Sequence, residues 1–340
     1  PMATIWSSTA ATVPVATGRD RGAGERRPPQ AVELTTESTA DRGGSQHGPM
    51  GTPDLAGIGI IDTMIGFPAA DMRELYRFIT RQTKDRESQE EFQFPAEYMF
   101  KDSPDKRIEA GVDPVGVTLR EMDLWGVEKG LVGVHGEHGA RAVKQHPDRF
   151  VPSISVDANK GMEAVRAVTE AYETWGIRAV GMFPAGMFPQ VPINDKKMYP
   201  VYARCAELGI AVFVCAGIPG PRVPFACQHV ELIDEVCFDF PELTFVTRHG
   251  CEPWTDLVVK LMLKWPNLYY STSAFAPRYY PRAIVDYANT RGADKVIYAG
   301  YFPMGLSLER IMGELPGVGF KDEVWPRFLR DNAAKVLGLA

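Results

Sequence analysis

From Gly57 onward the chain alternates short apolar runs with longer amphipathic ones. Gly57–Asp62, Leu131–His135, Phe150–Val156, Arg178–Phe183, Ile210–Cys215, Leu243–Thr247, Leu268–Ser271 and Val296–Ala299 are brief enough to be buried strands. Helical spacing fills the intervals. Asp113-Pro114 supplies a cap and a first-turn proline for a helix to Trp125. A helix over 160–175 would bury Met162, Val165, Val168, Tyr172 and Trp175 and stop at Gly176. Asn194 would cap the next, with Met198, Val201, Tyr202, Cys205 and Leu208 inward and Gly209 at its end. Further helices are expected near 71–81, 228–238, 253–265 and 281–290, and a last one over 322–337 covers the outside. This alternation, with strands about 20 to 35 residues apart, predicts the α/β class and a (β/α)8 TIM barrel.

Two stretches break the rhythm. Residues 1–53 are rich in Thr, Ser, Ala, Gly and Arg and lack apolar periodicity, so they read as a flexible N-terminal arm before a barrel over 54–340. Ile5-Trp6 and Val13-Pro14-Val15 are its apolar anchors, suited to a partner subunit. Residues 82–112 run charged, then aromatic (Phe92, Phe94, Tyr98, Phe100), then charged, the pattern of a lid-like insertion after the first strand.

Composition narrows the partners. With 340 residues, 45% of them hydrophobic, the chain can build a large core, and a net charge of -6 without a basic run argues against nucleic acid. No apolar run approaches a membrane span, and no leader pattern opens the chain, so a cytoplasmic protein that binds no membrane is expected. Five cysteines without a C-x-x-C pair read as reduced core thiols. A small-molecule substrate or ligand and a homo-oligomer, a dimer, are the partners expected; no cofactor and no metal is.

Candidate chemistry gathers at strand ends, because the carboxyl-end loops of such a barrel carry the active site. V-I-Y-A-G-Y-F-P-M (296–304) ends a strand at Gly300 and places Tyr301 just beyond it. Arg248-His249 ends the sixth strand, and Cys215 the fifth. P-N-L-Y-Y-S-T-S-A (266–274), K-V-I-Y-A-G-Y-F-P-M (295–304) and D-N-A-A-K-V-L (331–337) resemble the closing third of the amidohydrolase-related barrels similar to aminocarboxymuconate-semialdehyde decarboxylase. H-P-D-R-F (146–150), Y-P-V-Y-A-R-C-A-E-L-G-I (199–210) and I-I-D (60–62) extend the resemblance over roughly 58–337.

The resemblance implies one divalent metal held by D-x-H-x-H after the first strand, a His after the fifth and an Asp after the eighth, with a proton-moving His after the sixth. Here those ligand positions read Met64, Gly66, Cys215 and Tyr301, while Asp62 and the sixth-strand His249 remain. Without the ligand set, bound water cannot be brought to a pKa of about 7. Met64, Cys215 and His249 would form a soft set for copper(I), but apolar filling of the position explains them better.

The resulting expectation is a metal-independent hydrolase or decarboxylase-like lyase acting on a hydrophobic or aromatic carboxylated small molecule. His249 would be the general acid/base, with Tyr301 and Asp62 as polar partners and Arg248 as a carboxylate anchor. A Cys215 nucleophile served by His249 is the variant, against the simpler reading of Cys215 as a small hydrophobe. Met64, Phe67, Phe183, Phe302 and His135 complete the expected substrate surface, His135 within the H-G-E-H-G turn that also holds Glu137 and His138. Met182, Met187, Phe275, Tyr279 and Tyr280 would make the rim apolar. The alternative from another class is an inactive relative that binds a ligand or a protein partner.

Overall fold

The structure, a computed structural model, describes Leu55 and residues 57–69, 77–90 and 112–339. The N-terminal arm over 1–53, and residues 91–111 of the expected insertion, lie outside these. The described residues fall within one compact unit, Met50–Ala340. Eight parallel strands follow one another in sequence order around it: β1 (Ile60–Asp62), β2 (Val127–Gly133), β3 (Phe150–Ser155), β4 (Ala179–Met182), β5 (Ala211–Cys215), β6 (Phe245–Arg248), β7 (Leu268–Ser271) and β8 (Val296–Ile297). The ends of β1 and β8 meet: Thr63 N donates to Tyr298 O at 3.4 Å, and Ile65 bridges Phe302. Helices alternate with the strands, so the fold is the (β/α)8 TIM barrel that the strand rhythm predicts.

Period-2 alternation divides the core into two. Ile61, Leu131, Val151, Ala179, Ala211, Phe213, Val246, Tyr269 and Ile297 point into the barrel. Residues of the other parity pack outward against the helices. That parity matters at the strand ends. Cys215 lies two residues beyond Phe213 and Arg248 two beyond Val246, so both fall on the inward face, paired in the β5–β6 register.

Several boundaries differ from expectation for identifiable reasons. β2 starts at Val127 and ends at Gly133, earlier than the expected Leu131–His135. The charged Glu128 and Lys129 hide its start, yet Glu128 pairs with Arg330 and Lys129 Nζ donates to Asp148 O at 2.6 Å, as suits a strand's solvent end. Asp113 does cap Pro114–Leu124, accepting from Val115 N and Gly116 N. Asn194 caps nothing: its side chain donates to Glu235, and the helix begins at Tyr199. In Met162–Trp175 the buried positions are Ala164, Val168 and Ala171, while Met162 is exposed.

The last helical segment covers the outside in its first half, where Val324, Trp325, Phe328 and Leu329 join the outer cluster, and turns to the interior in its second. It winds as a π-helical turn over Arg327–Asp331 and an α-helix over Asn332–Val336. Phe328 O accepts from Tyr298 N at 3.0 Å, while Ala333, Val336 and Leu337 join the barrel's interior cluster. The segment therefore plugs the barrel at the end opposite the carboxyl-end loops.

Candidate active site

At the carboxyl end four non-glycine residues among those described turn left-handed past their strands: His249 (φ 66) and Cys251 (φ 59) after β6, Ala274 (φ 73) after β7 and Tyr301 (φ 70) after β8. Such a conformation costs about 1 to 3 kcal/mol per residue, and it persists only where surrounding contacts hold it. Here the contacts are visible. His249 N donates to Ser273 Oγ at 3.1 Å, and the same hydroxyl lies 3.2 Å from His249 Nδ1. Tyr301 N donates to Met64 O at 2.8 Å. The turn at His249 also removes a difficulty of strand parity: Arg248 is the inward residue of β6, and the left-handed step brings its neighbour to the same mouth.

His249, Ala274 and Tyr301 line one cavity of about 1160 Å³ at the barrel mouth. Its walls include Met64, Met182, Phe183, Met187, Cys215, Arg248, Phe275, Tyr279 and Met304. The Tyr301 ring stands edge-on to the His249 imidazole, centroids 5.3 Å apart at 75°. Residues 77–90 contribute Phe78, Ile79 and Arg81 to the wall. Gln82 Nε2 ties that segment to Gly186 O and Met187 O at 3.0 and 3.1 Å, and Arg222 pairs with Asp85 and Glu87, each at 2.7 Å.

Electrostatics in this enclosure favour neutral forms. Burial, and then the adjacent Arg248 charge, push His249 down to about 3, so its imidazole is neutral at neutral pH. Burial raises the Tyr301 phenol well above its usual range and raises the Glu252 carboxyl. It also drives the Cys215 thiol up to about 12, which holds it as a thiol and removes the thiolate that a nucleophile would need.

Asp62 is fully enclosed and lies behind the cavity wall rather than in it. Its Oδ1 accepts from Met64 N and Gly300 N, both at 2.9 Å, so the carboxylate braces the β1 end against the β8 end, between the two residues whose backbones hold Tyr301. Burial lifts its pKa to about 6 against those two amides. Oδ2 has no partner, and a Cβ at Gly300 would come within 2.4 Å of it and 2.8 Å of Tyr298 OH.

Of the residues singled out in the sequence, the cavity brings together His249, Tyr301, Cys215, Arg248, Met64 and Phe183. Phe67 packs on Phe150 with centroids 5.6 Å apart, and Phe302 pairs with the β1 end at Ile65. His135 is exposed and bonds Ser155 O at 2.9 Å; these three are outside the cavity lining, and Tyr280 lies buried against Thr272. Sequence reading passed over Ser273, Phe213, Gly181, Glu252 and Arg310. A glycine inside a strand such as Gly181 signals a close approach. The others carry no pattern that separates them from packing.

Among the described residues a divalent metal finds no suitable set of donors, since no three His, Cys, Asp or Glu side chains come together. The donors lining the mouth are methionine thioethers, a thiol and a phenol held protonated, one imidazole, and the carboxyl groups of Asp157 and Glu252, which do not gather with it into a set of three, and the Arg248 guanidinium stands among them. Hard or borderline ions prefer several anionic or imidazole ligands, and a resident cation opposes them.

The amidohydrolase family model matches residues 91–339. Among solved structures, an uncharacterized TIM-barrel protein from Bordetella bronchiseptica aligns with a TM-score of 0.63 at 25% identity, covering 82% of this chain and 98% of its own. The 5-carboxyvanillate decarboxylase of Sphingomonas paucimobilis aligns with a TM-score of 0.58 at 14% identity, over 83% of this chain and 99% of its own. For the 2,6-dihydroxybenzoate decarboxylase of Rhizobium the TM-score is 0.57 at 12% identity, over the same two shares, 83% and 99%. Similarity at 12% and 14% identity speaks for the fold alone. No curated protein matches the sequence. The family match spans most of the barrel, with β2 to β8 and the closing segments quoted above inside it: this chain belongs to the amidohydrolase family.

Proposed function

We propose that this protein is a hydrolase or decarboxylase-like lyase of the amidohydrolase family that works without the family's metal. Its substrate would be a hydrophobic or aromatic small molecule bearing a carboxylate. The observation that carries the reading is His249: a neutral imidazole, held in a left-handed turn by Ser273, facing a methionine- and phenylalanine-lined cavity. A buried neutral imidazole is a proton acceptor. Tyr301 and Glu252, both kept protonated more readily by their surroundings, are the donors facing the same space. In hydrolysis His249 takes a proton from the attacking water while a donor protonates the leaving group. In decarboxylation the carboxylate departs as carbon dioxide and the donor protonates the carbon left behind. The cavity's cationic floor and apolar walls suit an acid with an apolar body.

One observation favours a second reading, a ligand-binding relative that has lost catalysis. An imidazole at about 3 is a weak base, and no thiolate accompanies it. Turnover decides between them. Aromatic acids, and esters and amides of apolar acids, would be screened on chelator-treated wild type, His249→Gln and His249→Ala, with melting curves in parallel. The enzyme reading expects turnover that survives chelation and falls about 10²- to 10⁴-fold in both variants. Turnover restored only by added zinc or manganese would overturn metal independence; turnover indifferent to His249 would overturn its role.

A further inference from the structure

Among the described residues Arg248 is a charge without a counter-charge. It stands at the inward end of β6, in register with Cys215, and its guanidinium lies over the Phe213 ring at 5.0 Å from the centroid. From there it reaches past β5 to β4. A Cβ on Gly181 would stand 3.1 Å from Arg248 Nη1 and 2.9 Å from Ser155 Oγ, so the bare glycine leaves the space that the guanidinium and the hydroxyl share. Nε is enclosed and has no hydrogen-bond partner among the described residues. The neighbours that favour its charge are Cys215 and Tyr301, both protonated here, and no carboxylate joins them. Desolvating a guanidinium without an anion is unfavourable, so the site is incomplete as the described residues build it. Arg248 and Ser155 both open onto the cavity, beneath Met64, Met182 and Phe183.

We infer that Arg248 is the ligand anchor of this cavity, taking the planar carboxylate of an aromatic acid onto its forked N–H groups at the barrel floor, in place of the positive charge a divalent ion would supply. The inference rests on the reading of the cavity as a small-molecule acid site and gives that acid an orientation. The carboxylate points down to Arg248 and Ser155; the ring lies against the methionines and Phe183. A guanidinium matches the two oxygens of a carboxylate in one plane, which an ammonium cannot do. Methionine side chains adapt to the face or edge of a ring. A dication at the same floor would meet the guanidinium's repulsion, so anchor and metal are alternatives.

The test is calorimetric binding of 2-naphthoate, with 2-naphthamide as the neutral isostere, to chelator-treated wild type, Arg248→Met, Arg248→Lys and Gly181→Ala. Wild type is expected to bind naphthoate and to prefer it over the amide by at least about tenfold. Arg248→Met should lose that preference. Arg248→Lys should keep part of it, and Gly181→Ala, which crowds Nη1 without removing charge, should weaken naphthoate alone. Should Arg248→Met fail to fold, the lysine and Gly181 variants carry the comparison. Adding zinc or manganese should leave the naphthoate affinity unchanged. Naphthoate binding equal in wild type and Arg248→Met, or dependent on added metal, would overturn the anchor. The two readings fail separately. Arg248-dependent binding with no His249-dependent turnover removes the enzyme and keeps the anchor, whereas turnover persisting in Arg248→Met removes the anchor and keeps the enzyme.

Discussion

One hydroxyl of Ser273 meets His249 at two points, accepting from its backbone N–H at 3.1 Å and lying 3.2 Å from its Nδ1. The two contacts fix both the left-handed backbone and the plane of the ring. The serine oxygen has two lone pairs, so it can accept from Nδ1–H as well as from the backbone N–H, and in that tautomer Nε2 is left as the proton acceptor.

Ser273→Ala is expected to lower kcat about tenfold and to leave KM within about twofold, because the imidazole stays in place but loses its orienting bond. The melting temperature should fall by the equivalent of about 1 kcal/mol, the ordinary worth of a hydrogen bond. Steady-state kinetics and thermal melts on the same preparation check both; a change in KM alone would mean that Ser273 shapes binding instead.

Asp62 should tolerate loss of charge better than loss of shape. In Asp62→Asn the Oδ1 that serves Met64 N and Gly300 N is retained, and the partnerless Oδ2 becomes an amide nitrogen. Stability at neutral pH should be equal or higher. Asp62→Ala strands two buried amides, at about 1 to 3 kcal/mol each, and should destabilise by several kcal/mol. Denaturant melts of the two variants make the comparison; equal losses would contradict the brace.

Stability against pH should carry two opposed contributions. His249 falls from 6.5 to about 3 on folding, so the unfolded chain binds more protons between those values, and its contribution grows as pH rises to about 6.5 and is lost as pH falls toward 3. Asp62 rises from 3.8 to about 6, so its contribution is present below 3.8 and is lost as pH rises through 6. Removing one should expose the other: between about pH 4 and 6 the stability of Asp62→Asn should climb more steeply than wild type, and that of His249→Gln less steeply. Melting temperature recorded across this window reads the slopes directly.

Cys215→Ser should change turnover less than about twofold, and iodoacetamide near neutral pH should leave activity intact, since a thiol pushed up to about 12 offers no thiolate. Loss of activity in the serine variant, with the fold preserved, would restore the thiol as a nucleophile.

What the sequence determined by itself was whatever local pattern controls. Apolar runs of strand length separated by helical periodicity dictate eight strands and their order, because each element must bury one face against its neighbours. Asp113-Pro114 starts a helix, and Gly176 and Gly209 end helices, through backbone geometry alone. His249, Arg248 and Tyr301 were legible as strand-end residues, since a barrel sends its chemistry to that end. The tertiary structure decided the rest, because it depends on partners distant in the chain. Asp62 became a brace because Gly300, 238 positions away, offers it an amide. Arg248 faces the cavity floor because β4 presents a glycine there and β5 a phenylalanine. The last helical segment plugs the barrel as well as covering its side because Ala333, Val336 and Leu337 fit the open end of its interior while Trp325 and Phe328 pack outside. Left-handed turns at His249, Ala274 and Tyr301 have no signature in residue type, as contacts rather than propensity hold them.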